Sequence, residues 1–248
     1  LSLPDPSDEC TFLNFTASHD GIGVRPLQGI LSDSEIAELL EKVEARGGLV
    51  SWKTNPDGSK SPYELNISYV SALSEPDNEP LGAERFLCSQ AVTLAMKGVP
   101  AVYFHSLTGT PNHKKGVETT GLNCTINRRK WEEKELLQIL DDQEGMQASI
   151  FQRYLNMLRH RAGHPAFHPS ARQEILGVGH AVFGLVREAR KGGQRITCLF
   201  NFTDEIQLII ASAVGDNVSH LDLLSGETVE AGDDISLQPY QALWLLQT

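Results

Sequence analysis

The spacing of apolar residues changes near residue 167, and no other feature of this 248-residue sequence constrains its fold as much. Before that point apolar residues recur at helical intervals, as they do along buried helix faces. After it, the runs 180–186, 196–202, 206–211, 220–224 and 235–246 alternate apolar and polar residues between turn residues. They read as five or more short strands, which calls for an antiparallel layer distinct from what precedes it.

The first part reads as strand-plus-helix units. Ser32 and Glu35 have capping-box spacing, Ile36, Leu39, Leu40 and Val43 repeat on one helical face, and Gly47-Gly48 supply a stop. Residues 51–62, SWKTNPDGSKSP, read as a loop. A second helix is predicted over about 81–97, with Phe86, Leu87, Ala91, Leu94 and Ala95 inward. It ends at Gly98 before a buried-looking strand over 99–104, a junction that parallel barrels repeat. Residues 109–131 are polar and Gly-bearing, and read as an active-site loop or a solvated excursion. A helix over about 147–161 follows, stopped by His164-Pro165.

Chemistry concentrates in residues 14–26, NFTASHDGIGVRP. The apolar run Phe12 to Phe15 leads to His19-Asp20, and Gly21 and Gly23 follow. A strand that stops at a carboxylate beside an imidazole is how a barrel presents side chains at its rim, and glycines let backbone turn and approach a ligand. A structural histidine beside a capping aspartate is the alternative that spacing leaves open. Arg128 carries a planar fork able to bind hydroxyl oxygens or a carboxylate, or simply to cap a helix. The Tyr63 hydroxyl can donate to a phosphate oxygen, which the Glu64 carboxylate would repel.

Composition removes other classes. A net charge of −11 and a pI near 5.2 argue against nucleic acid and anionic membranes as partners. Apolar runs such as 208–211 fall far short of the roughly 18 residues of a membrane span. Cys10, Cys88, Cys124 and Cys198 show no Cys-x-x-Cys spacing, and Cys88 and Cys198 read as core thiols of a cytoplasmic, reducing compartment. The histidines are too scattered for a metal site, and neither a phosphate-cradling glycine loop nor a dinucleotide fingerprint is present, so no cofactor is expected.

Four motifs in one order carry a resemblance. His19-Asp20-Gly21-Ile22-Gly23 resembles the seventh-strand motif of the α-amylase superfamily of glycoside hydrolases, in its sucrose phosphorylase-like subgroup. Pro62-Tyr63-Glu64-Leu65-Asn66 is similar to that subgroup's acceptor-side loop. The stretch from Gly98 to Phe104 resembles its eighth strand, and Ile126-Asn127-Arg128 its arginine motif. The resemblance implies the last two βα units of a (β/α)₈ TIM barrel over residues 1–166 and an antiparallel β domain over 167–248. It implies a retaining α-glucoside phosphorylase that moves glucose between a small acceptor and inorganic phosphate. An α-amylase-type hydrolase and a non-catalytic sugar-binding or assembly fragment are the alternatives.

On this resemblance Asp20 stabilises the transition state, His19 donates to a neighbouring sugar hydroxyl, Arg128 lines the glucose pocket, and Tyr63 and Glu64 face acceptor and phosphate. Glu64, where an amide is usual, and Arg25-Pro26 depart from sucrose phosphorylase proper. They favour a phosphorylated, carboxylated or glycerol-like acceptor, with Arg25 among the substrate-binding residues. Retaining enzymes need a nucleophile and an acid/base about 5 Å apart. The resemblance puts both on earlier strands, so the chain is expected to be the C-terminal part of a longer enzyme and inactive alone. Its expected partners are a glucoside, phosphate and the N-terminal part of the same enzyme, with a homodimer left open.

Overall fold

The computed structural model describes residues 6–7, 9–74, 81–214 and 218–248. The chain forms two compact units. One gathers Leu87–Ala101 and Arg153–Thr248 with the chain up to Asn14; the other gathers Phe15–Phe86 and Val102–Gln152.

In the first unit the alternating residues form a six-stranded antiparallel sheet. Its strands lie in the order Thr228–Val229, His220–Asp222, Ala242–Gln247, Arg195–Asn201, Val182–Glu188 and Arg172–Leu176. Ile235–Leu237 pairs separately with Gln207–Ile209. The run expected over 235–246 is therefore two strands. Pro239, which has no N–H to give a ladder, and Tyr240, at φ 52°, turn the chain between them. Arg172–Leu176 was not expected, because an exposed edge strand carries no apolar alternation. Val182, Leu199, Ile235, Leu237, Leu243 and Leu245 pack into one cluster, each worth about 1.5–3 kcal/mol of burial. Trp244 is fully buried, its ring centroid 4.7 Å from that of Phe167. Cys88 and Cys198 are buried, as core thiols should be.

The helices Gly82–Ala95 and Met146–Gly163 lie close to their expected bounds. The last carbonyls of the former have no partner within the helix. Two arginines supply one. Arg187 Nη1 donates to Ala95 O at 2.6 Å, and Arg161 donates to Leu94 O and to Gly98 O. Neither arginine has a carboxylate partner among the described residues, and burial pulls both guanidiniums down to about 10. The strand expected over 99–104 shrinks to Val99–Pro100, parallel to Leu13–Asn14. Ala101 N–H still donates to Asn14 O at 2.8 Å, and the chain has turned helical by Phe104–Leu107.

In the second unit the helix Asp33–Ala45 starts where the capping box places it. Ser32 Oγ accepts from Glu35 N–H, and the Glu35 carboxylate accepts from Ser32 N–H. Residues 51–62 do not form a loop. Leu49–Thr54 and Lys60–Asn66 pair as a hairpin around a turn at 55–59, and Ile22–Gly23 adds a third antiparallel strand. Turn-forming residues close the strands tightly here: Asp57 accepts from Ser59 N–H, and Gly58 supplies φ 82°. The register slips between Ser51 and Trp52, which pair with Glu64 and Pro62 and leave Tyr63 as the extra residue of a bulge. Residues 109–131 also hold more order than a loop, with a helix Lys114–Thr120 ended by Gly121 at φ 68° and a 3-10 turn Asn123–Asn127. Val24, Ile36, Val43, Val50, Leu65 and Ile67 form the core that carries the hairpin and the first helix.

Candidate functional site

His19 and Asp20 sit not at a strand end but at the two central positions of a tight turn. Ser18 N–H donates to Gly21 O at 3.0 Å, and Gly21 N–H returns to Ser18 O at 3.1 Å. Gly21 has φ 108°, and a Cβ there would lie 2.2 Å from Leu65 O. Only glycine lets the turn seat against the strand Lys60–Asn66.

Side chains from distant parts of the same unit converge on this turn. Arg128 Nη2 donates to Asp20 Oδ1 at 2.6 Å, and its Nε donates to His19 O at 2.7 Å. His19 Nε2 lies 3.4 Å from Asp20 Oδ2. Asn127 Nδ2 donates to Ser18 O and His19 O, and Asn66 Nδ2 to Asp20 O. The Tyr103 hydroxyl donates to Asn127 O at 2.8 Å. Burial pushes that phenol up, and the Asp20 carboxylate adds to the shift while Arg128 opposes it.

Glu64 reaches the cluster because Gly23 and Glu64 pair across the strands. Burial raises its carboxyl above the ordinary range, the Asp20 carboxylate raises it further, and Arg128 and His19 pull the other way. The structure thus gathers His19, Asp20, Arg128 and Glu64. Tyr63 is exposed on the bulge and belongs to a paired strand rather than to a loop able to swing, and bulges commonly re-aim a side chain beside a site. Arg25 is exposed at the start of a 3-10 turn and forms no ion pair with Asp20 or Glu64. Three members of the network, Asn66, Tyr103 and Asn127, lie within the motif stretches, which assign them no role of their own. Nothing in their identity marks them apart from that placement.

The side chains of Asp20 and Arg128 are 44% and 38% exposed. Two carboxylates, a guanidinium and an imidazole at an open surface suit a polyhydroxyl ligand, and a carboxylate fixed in place can stabilise positive charge as it develops on a sugar. Among the described residues no group of acids, histidines and cysteines is arranged to hold a metal. No helix is long and apolar enough to cross a membrane.

No protein-family model matches the chain. Among curated proteins, the glucosylglycerate phosphorylase of Spirochaeta thermophila is 42% identical over 95% of this chain. The sucrose phosphorylase of Agrobacterium vitis is 29% identical over 62% of it. The chain spans only 42% and 31% of those two proteins. Among solved structures, a sucrose 6F-phosphate phosphorylase from Thermoanaerobacter thermosaccharolyticum superposes with a TM-score of 0.64 at 20% identity, over 91% of this chain and 40% of its own. Similarity to these phosphorylases therefore extends across nearly the whole sequence, and the fold is that of the corresponding part of the superposed structure.

Proposed function

We propose that this chain is the C-terminal part of a retaining α-glucoside phosphorylase, in which residues 1–166 complete a (β/α)₈ barrel and 167–248 form its β domain. The observation that carries the reading is the clasped turn, where a guanidinium holds the Asp20 carboxylate at 2.6 Å while leaving it open to solvent. A sugar losing its leaving group carries positive charge on the anomeric carbon and ring oxygen, and a preoriented carboxylate stabilises that charge without reorganising. Asp20 takes this part, with His19 and Arg128 binding sugar hydroxyls. The nucleophile and the acid/base belong to the remainder of the enzyme. Glycerate is the acceptor we favour, because identity to the glucosylglycerate enzyme is higher and extends further than to the sucrose enzyme.

Two features support association with further polypeptide. Leu13 and Val99, on the two-stranded parallel pair, are 64% and 43% exposed. A groove of about 950 Å³, lined by Val99, Pro100, Leu158, Arg161 and Phe167 among others, opens in the same unit. Exposed apolar surface of this kind marks an interface.

The test is Asp20→Asn in the complete enzyme. Turnover should fall on the order of 10²-fold, comparable to losing an oxyanion donor, with the thermal midpoint unchanged. Normal turnover would make Asp20 structural.

A further inference from the structure

We propose that Asn127 and Asn66 are positioning residues, a pair of buried amides that fix the backbone of the Asp20 turn and thereby aim its carboxylate; this rests on the reading of Asp20 given above. The geometry is unusual in one respect. Three consecutive carbonyls, of Ser18, His19 and Asp20, each accept a hydrogen from an asparagine side chain, at 3.1, 2.9 and 3.0 Å. Asn127 serves the first two and Asn66 the third, so no peptide of the turn can rotate without breaking one of these bonds.

The contrast in burial gives the amides their weight. Asp20 and Arg128 form an exposed pair, and such pairs hold geometry weakly because water and long side chains offer alternatives. Asn127 and Asn66 are 2% and 0% exposed. Because the donor amides are shielded, these part-buried bonds meet less competition from water than the exposed ion pair does.

Each amide is itself oriented. Ser51 Oγ donates to Asn66 Oδ1 at 2.6 Å, which occupies the acceptor end and leaves Nδ2 toward the turn. Asn127 is tethered through its own carbonyl by the Tyr103 hydroxyl. Both N–H groups of its amide go to the turn, to Ser18 O and His19 O.

The experiment is a double-mutant cycle in the complete enzyme, assayed with glucosylglycerate and inorganic phosphate. Asn127→Ala and Asn66→Ala should each lower kcat by about 10- to 100-fold with little change in KM, since small misplacements of a reacting geometry cost rates of that order. Combined with Asp20→Asn, neither should slow the enzyme further, because both act through that carboxylate. Ser51→Ala, which frees the Asn66 amide to rotate, should give a smaller loss of the same kind and stands in if an Asn variant fails to fold. A damaged Asp20→Asn whose double variants lose activity multiplicatively would overturn the clamp alone. Normal turnover by Asp20→Asn would overturn the reading of Asp20 and the clamp with it.

Discussion

Glu64 is the residue whose surroundings work against its charge. Partial burial and the neighbouring Asp20 carboxylate both favour its protonated form, so the folded protein holds that proton more tightly than the unfolded chain does. Stability from this site is therefore complete below the ordinary glutamate range and is lost as pH rises through the raised value. At neutral pH the ionised side chain is a net cost. Glu64→Gln should unfold at higher urea than the parent at pH 7, by less than about 1 kcal/mol because solvent screens the carboxylate. The difference should shrink as pH falls to 4. A stabilisation equal at both pH values would mean that the charge is not its source.

At the scale of elements, the hairpin and the tight turn depend on glycines for different reasons. Gly58, at φ 82°, has open space around its Cβ position, so Gly58→Ala should cost only the left-handed backbone, about 1 kcal/mol. Gly21, at φ 108°, faces Leu65 O at 2.2 Å, and Gly21→Ala must push the turn off the strand. Thermal unfolding of the two variants should show a much larger loss for Gly21→Ala; equal losses would mean that the close approach does not matter.

The same elements show what sequence could and could not convey. The first helix was legible because its start is encoded within four residues, from Ser32 to Glu35. The hairpin was not, since NPDGS suits a loop and a tight turn equally, and only pairing with residues farther off decides. Likewise His19, Asp20 and Arg128 stand out as motif residues, whereas Asn66 and Asn127 act on the turn across 46 and 108 positions of chain. An asparagine carries no local mark of such a role.

For the whole molecule, the account needs the two halves of an enzyme to share one site. On the proposed function, this chain would contribute a charge-stabilising carboxylate and sugar-binding groups, and the bond-making carboxylates would come from the rest of the enzyme. Residues 1–248 alone should accordingly release no glucose 1-phosphate. The central claim is tested most directly by following glucose 1-phosphate formation from glucosylglycerate by the complete enzyme as inorganic phosphate is varied, with sucrose as the competing substrate. The account predicts saturable, phosphate-dependent release that is faster from glucosylglycerate than from sucrose. Free glucose released at a rate independent of phosphate would contradict it and make the enzyme a hydrolase.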